Sequence, residues 1–465
     1  MNTQPRSDSH LHTRARARAC VVACVMLTCA AGAARATNMV YCVRAEAAGD
    51  QTGADWHHAF TSLPVNLVRG ATYYVADGSY PGRVFRDAEQ GTQVVAIVKA
   101  TPGAHGPVDG WVDGYGDGVA EFRVDLDAGN GYWAGLVFLR SFYRLDGVTG
   151  GGPDAWATNH GFRISSPEKT SILLMLSDKW SKWGLRPNVH SISIAGVEFT
   201  GQRLPGYGIA VQANASATTV TNVHLRRCHA HDIGGTFVDV RANPGGWLIE
   251  QCFFVRNATS PEHHGVGLRF DNLAGSLVFR NNRMADIVGT GWIGHYTGAA
   301  QHGDGAEFYG NVFYCSPGVT NMTGWAPIFS DSNAGVPVVD NWKIYNNTFC
   351  NLPYRGTLVQ IDTTNSTQIE ARNNLGYALG GSLGFVNVDI RVSNVVASVD
   401  PFVNWTAGDF RLKAALPSAV LASGAWRTDA YGATRGADGT TDAGAYEFKD
   451  TVAPPAAPGR PKVRR

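Results

Sequence analysis

Apolar residues recur along this chain in short alternating runs, each closed by one or two Asn, Gly or Cys and then an aromatic or aliphatic residue. The phrase reads SISIAGVEF (191–199), VHLRRCHA (223–230), LIEQCFF (248–254), LVFRNNRM (277–284), AEFYGNVF (306–313), WKIYNNTF (342–349) and QIEARNNLG (368–376), with a weaker copy at YRLDGVTG (143–150). Taking Val148, Val197, Cys228, Cys252, Asn282, Asn311, Asn347 and Asn374 as equivalent sets successive copies 24 to 49 residues apart. Alternation with a period of two, flanked by Gly and Asn, predicts strands rather than helices. A strand unit repeated at this interval cannot bury its apolar face alone, so the units must stack into a parallel β-solenoid. Asn281-Asn282, Asn346-Asn347 and Asn373-Asn374 then fall at one corner, where their amides can satisfy one another along the axis.

The departures from the repeat mark the ends and one insertion. Residues 54–64 (ADWHHAFTSLP) have a helical pattern and predict a short capping helix over the exposed edge of the first coil. Residues 165–190 lengthen one interval and carry Trp180 and Trp183 beside Lys179, Lys182 and Arg186. Two readings stay open for these Trp residues, stacking on sugar rings or packing the loop onto the coil. From residue 400 the repeat fades into segments that look like a terminal cap.

Composition changes the picture at the termini. Arg14, Arg16 and Arg18, a short apolar run and Ala34-Arg35-Ala36 predict an export signal over residues 1–36, cleaved after Ala36. The expected organisation is therefore a signal, a β-helix domain over 37–448 and a disordered basic tail over 449–465, in a secreted or periplasmic protein. The net charge of +1 falls to −3 without the signal, at 34 basic against 37 acidic residues. With no basic stripe along the body, a nucleic-acid partner is not expected, nor is a membrane one after signal cleavage; the chain is expected to be a monomer. Five Cys remain (Cys42, Cys228, Cys252, Cys315 and Cys350), an odd number that argues against a full disulfide framework. Cys228 and Cys252 would stack about 4.8 Å apart, which permits either a bridge or a reduced ladder.

The opening GADWHHAFTSLP…LVRGATYYVADGSYPG and the ending DFRLKAALPSA…DAGAYEF, with the repeats between them, resemble secreted bacterial proteins of the pectate-lyase-like superfamily. The resemblance covers nearly all of residues 40–448. It implies an all-β, right-handed parallel β-helix, and, by the distribution of activities on that fold, a polysaccharide lyase or glycoside hydrolase.

Chemistry is expected on the strands that precede the Asn-marked ones. In FVDVRAN (237–243) Val238 and Val240 point inward, leaving Asp239 and Arg241 on the outer face; in VGLRFDN (266–272) Leu268 and Phe270 point inward, leaving Arg269 and Asp271 outside. Superposing Val240 on Phe270 sets Arg269 beside Asp239 and Asp271 beside Arg241. Such a checkerboard is either a salt-bridge lattice or a site for an acidic sugar. For a uronate lyase, Arg241 and Arg269 would neutralise the carboxylate, His264 or His295 would take the C5 proton, and Tyr296 would protonate the leaving oxygen. Asp239, Asp271, Trp180 and Trp183, with His302 and Asp304 of an HxDG-like turn (302–305), complete the expected substrate-binding set. Asp239, Asp271 and Asp304 could bind Ca²⁺, although no motif requires it. No Lys is expected on this face, which speaks against a lysine base. A hydrolase using Asp239 and Asp271, and a solenoid that only binds carbohydrate, remain the alternatives.

Overall fold

The computed structural model describes residues 39–449, apart from 148–149, 169, 185–186, 202–207, 214–217, 243, 258–264, 274, 297–302, 320–325, 332–338, 354–356, 362–365, 381–382 and 419–423. The expected signal and tail lie outside the described residues, except for Lys449. Strands of two to seven residues stack into three long sheets of twelve, eleven and eleven strands, all parallel except Leu126–Gly129, which adds to the third sheet antiparallel. The chain visits the first, second and third sheet in turn, as in Val189–Ala195, Val197–Thr200 and Ile209–Ala213, and then climbs one coil. This is the right-handed parallel β-helix expected from the repeat. Among the described residues no helix is long and apolar enough to cross a membrane.

The corner between the first and second sheets explains the repeating phrase. Its first residue takes a left-handed conformation in every copy from Gly196 through Arg227, Gln251, Asn281, Gly310, Asn346, Asn373 and Ser393, with φ of 50–66°. Gly and Asn tolerate that conformation best, which is why they crowd there. The second residue builds a ladder. The backbone N–H of Cys252 donates to Asn282 Oδ1 (2.8 Å), and Asn282, Asn311 and Asn347 donate in the same way to Asn311, Asn347 and Asn374. Each amide Nδ2 returns to a first-sheet carbonyl one coil back, as Asn311 does to Phe279 (2.8 Å). The ladder continues to Asn394, one copy beyond those recognised in the repeat. Cys228 and Cys252 belong to it as free thiols, with the Cys228 amide 3.4 Å from Cys252 Sγ. Inside, the alternate residues stack by register into columns such as Ile194, Leu225, Ile249, Phe279, Phe308 and Ile344.

The N-terminal cap is not a helix. Residues 54–58 form a series of bends, and Phe60 bridges Val43 in an extended conformation. Cys42 donates to Gly53 O, Phe60 to Cys42 O and Arg44 to Phe60 O. The first strand leaves an edge of unpaired backbone groups, and only another extended segment can satisfy them; a helix spends its amides internally. At the other end, residues 400–418 and 424–448 lie along the outer flank of the second sheet. There Phe402, Phe410, Leu412 and Tyr446 cover the outward-facing Val312, Cys350 and Leu375.

Asn311→Ala should lower the unfolding free energy in urea by about 1–3 kcal/mol for each buried group left unpaired, among them the Asn282 amide and the Phe279 carbonyl. Asn394→Ala, at the half-buried end of the ladder, should cost less. Equal losses would mean that burial does not set the ladder's contribution.

Candidate functional site

The third sheet carries two different outer surfaces. On its N-terminal coils the outward residues Ala134, Val137, Ile172, Met175 and Ile209 form an apolar patch. Trp180 and Trp183 pack against it, with Trp180 stacked on Tyr132 at a ring separation of 4.6 Å. Of the two readings of these tryptophans, the structure favours packing. Further along, the outward row becomes polar, with Gln212, Asp239 and Arg269 adjacent by register.

The register between Thr236–Val240 and Leu268–Phe270 pairs Asp239 with Arg269 and Val240 with Phe270, as the alternation predicts. Arg241 Nε lies 2.6 Å from Asp239 Oδ1, Arg269 Nε lies 4.0 Å from the same oxygen, and Arg269 also reaches Asp271 Oδ1 at 3.4 Å. The expectation that Asp239 is exposed is corrected: its side chain is only 1% exposed, roofed by these guanidiniums. Burial disfavours its charge, but Arg241 and Arg269 outweigh that and hold its carboxyl below the usual range. Asp271 has the opposite balance. Burial and the nearby Asp239 charge outweigh the two arginines and push it up to about 6.

A lysine enters this cluster from the insertion. After Ser177, which takes a left-handed φ of 70°, the buried Asp178 accepts the backbone N–H of Lys182 (3.1 Å) and of Trp183 (2.8 Å). That tight turn sets the Lys179 amine 4.8 Å from the centre of the Trp180 ring and within electrostatic reach of Asp239, Arg241 and Arg269. Burial first, then the two guanidiniums, lower the Lys179 pKa against the pull of Asp239. The expectation that no lysine falls on this face is overturned. The expected insertion over 165–190 is in part a regular coil, since Ser171–Leu176 is a strand of the third sheet; Lys179 stands on the turn after it, and strand alternation could not find a residue that lies on no strand.

Tyr296 stands on the same outer face, two residues beyond Gly294, the register partner of Arg269; its ring lies 4.4 Å from the Arg269 guanidinium and its hydroxyl 2.9 Å from Thr290 Oγ1. His295 does not join them. It registers with the inward Phe270, so it sits inside the coil between Phe270 and Trp342, fully buried, with its pKa pushed by burial down to about 3. The same alternation that placed Arg269 outside puts His295 inside, which removes it as a base. Asp304 is also removed from the face: on the turn before the first-sheet strand Ala306–Tyr309, it accepts the Asp340 amide at 3.1 Å. His264 and His302 lie outside the described residues.

Asp239 and Asp271 are poor calcium ligands in these surroundings. Arg241 and Arg269 already balance the two carboxylates among the described residues, and both carboxylates are engaged with guanidiniums.

No protein-family profile and no curated protein matches the sequence. Among solved structures, the chain is similar to pectate lyase Pel9A, at 14% identity and a TM-score of 0.54, over 89% of this chain and 97% of that one. The two share the parallel β-helix fold. A GH136 lacto-N-biosidase from Eubacterium ramulus is a more distant likeness, at 12% identity and a TM-score of 0.36 over 78% of this chain and 68% of that one. At 14% identity the likeness to Pel9A speaks to architecture alone.

Because the Asp271 carboxyl is raised in the folded state, the native chain binds its proton more tightly than the unfolded chain does. That stabilisation is present at low pH and is lost as the pH rises through the folded pKa. Between about pH 4 and pH 6, the stability of Asp271→Asn relative to the parent should therefore rise by about 2 kcal/mol, read by thermal unfolding across pH. A flat difference would return Asp271 to an ordinary surface carboxyl.

Proposed function

We propose that the protein is a polysaccharide lyase that cleaves an acidic, uronate-containing polymer by β-elimination. The observation that carries this reading is the convergence of Lys179, Arg241 and Arg269 on one outer face. Arg241 and Arg269 receive the uronate carboxylate, and their charge stabilises the carbanionic state that forms when C5 loses its proton. Lys179 takes that proton as a free amine. An ordinary lysine is almost wholly protonated at working pH, so a depressed pKa is the property this role requires. The C5 electron pair forms the C4–C5 double bond, the C4–O bond breaks, and Tyr296 protonates the departing oxygen. The guanidiniums lie over the buried Asp239 and present positive charge outward, which draws an anionic chain onto the face.

Hydrolysis fits less well. It needs two carboxylates facing the scissile bond, and Asp239 is enclosed under guanidiniums. A recognition surface without chemistry would have no use for a lysine with a lowered pKa.

The test is incubation with a panel of uronate polysaccharides, following absorbance of the unsaturated product. Lys179→Ala should reduce turnover by about 10²–10⁴-fold, and Arg269→Ala by a comparable factor, with unfolding midpoints near that of the parent. The rate should rise with pH as Lys179 loses its proton, since the neutral amine is the active form. New reducing ends without that absorbance would replace the lyase reading with hydrolysis.

A further inference from the structure

A second cluster of chemistry-bearing side chains lies on the outer face of the second sheet, where the proposed lyase reaction makes no use of it. Val197–Thr200 and His229–His231 pair in register, setting Glu198 beside His229 and Thr200 beside His231. His229 and His231, two residues apart on one strand, project from the same face, with ring centroids 4.4 Å apart. The Nε2 of His231 lies 3.0 Å from Glu198 Oε1, and its Nδ1 lies 2.7 Å from Asp232 Oδ2. Both carboxylates are held from behind, Glu198 by Arg163 Nε at 2.7 Å and Asp232 by two guanidinium nitrogens of Arg256 at 2.9 and 2.8 Å.

His229 is the anomaly. It is only 5% exposed, and neither of its ring nitrogens has a hydrogen-bond partner. His160, delivered by the loop that precedes the strand Phe162–Ser165, lies with its ring 5.7 Å from that of His229, and its buried Nε2 is also unpartnered. Three orphaned imidazole nitrogens against one carboxylate leave polar groups buried at a cost that a bound cation would remove. A cavity of about 530 Å³ lined by Lys99, Asp117, Asn159, His160, Arg163 and Glu198 opens onto the cluster.

We propose that Glu198, His229 and His231 hold a divalent transition-metal cation, with zinc the best match, in a site that leaves a coordination position toward His160 and this cavity. The ligand atoms of the three residues lie within 4.8 Å of one another. The His231–Glu198 separation of 3.0 Å is close to the roughly 3.3 Å edge of a tetrahedron built on bonds of about 2.0–2.1 Å. Imidazole with a single carboxylate favours zinc over the hard, oxygen-seeking calcium and magnesium. The Asp232–His231 contact is the outer partner that fixes a ligating imidazole through its remote nitrogen. Glu121, Glu198 and Asp232 against Arg163 and Arg256 give the surroundings one net negative charge, which suits a cation.

The experiment is to strip the purified full-length protein with chelator, titrate it with Zn²⁺ alone by calorimetry, and measure the metal retained after gel filtration. One zinc per chain is expected. His229→Phe keeps the ring stack on Phe253 but removes both nitrogens, and should weaken binding by more than the 10–100-fold typical of losing an outer partner. Asp232→Asn should fall within that range. His231→Gln, with folding checked by circular dichroism, serves if His229→Phe does not fold. A stripped, folded parent chain that retains no zinc would overturn the assignment. So would unchanged affinity in a folded His229→Phe or His231→Gln chain, or loss of zinc on Arg269→Ala.

Discussion

Each coil of this molecule can satisfy its backbone only through the coils above and below it, and every other feature depends on holding that register. The corner between the first and second sheets is where the register is enforced. A left-handed residue turns the chain, and the side chain after it accepts a backbone N–H of the preceding coil at its amide oxygen, while its amide nitrogen donates to a carbonyl of that coil and to the amide oxygen of the next Asn. Because these groups are buried, a coil that slips leaves donors and acceptors unpaired in a low-dielectric interior, at a cost of about 1–3 kcal/mol each. The ladder from Cys228 to Asn394 therefore acts as a register pin along the C-terminal half of the helix.

Fixed register is what brings charges together on the third sheet. Asp239 and Arg269 are thirty residues apart in sequence and one strand apart in space. Stacking these strands buries Asp239 beneath two guanidiniums, so its negative charge persists while its neighbour Asp271 is driven toward neutrality. The pair cannot serve as two equivalent acids. What the arrangement presents outward is cationic, and the insertion that adds Lys179 also covers the apolar surface beside it.

The outer face of the second sheet divides in a comparable way. Its later coils are covered by the C-terminal segment, which seals Val312, Cys350 and Leu375 behind aromatic side chains. Its middle coils instead carry Glu198, His229 and His231, next to a cavity also lined by Lys99, whose buried amine pairs with Asp77. Two unlike polar sites on one solenoid are a natural outcome of stacking, since each coil's outward residues can vary without disturbing the inner columns.

The sequence alone determined the repeat, the corner and the strand parity. Those follow from local rules, in which alternation sorts faces and Asn or Gly marks a left-handed turn, and they were enough to pair Asp239 with Arg269. They did not exclude His295, which the sequence reading kept as a base; that took the register seen in the structure, which aligns it with the inward Phe270. The tertiary structure decided which segments lie over each face. It turned the expected N-terminal helix into an extended edge partner, since only extended chain can pair an open strand, and it carried Lys179 and His160 onto faces built from other coils. Their positions depend on how loops fold over a finished surface, and no periodicity in the chain encodes that.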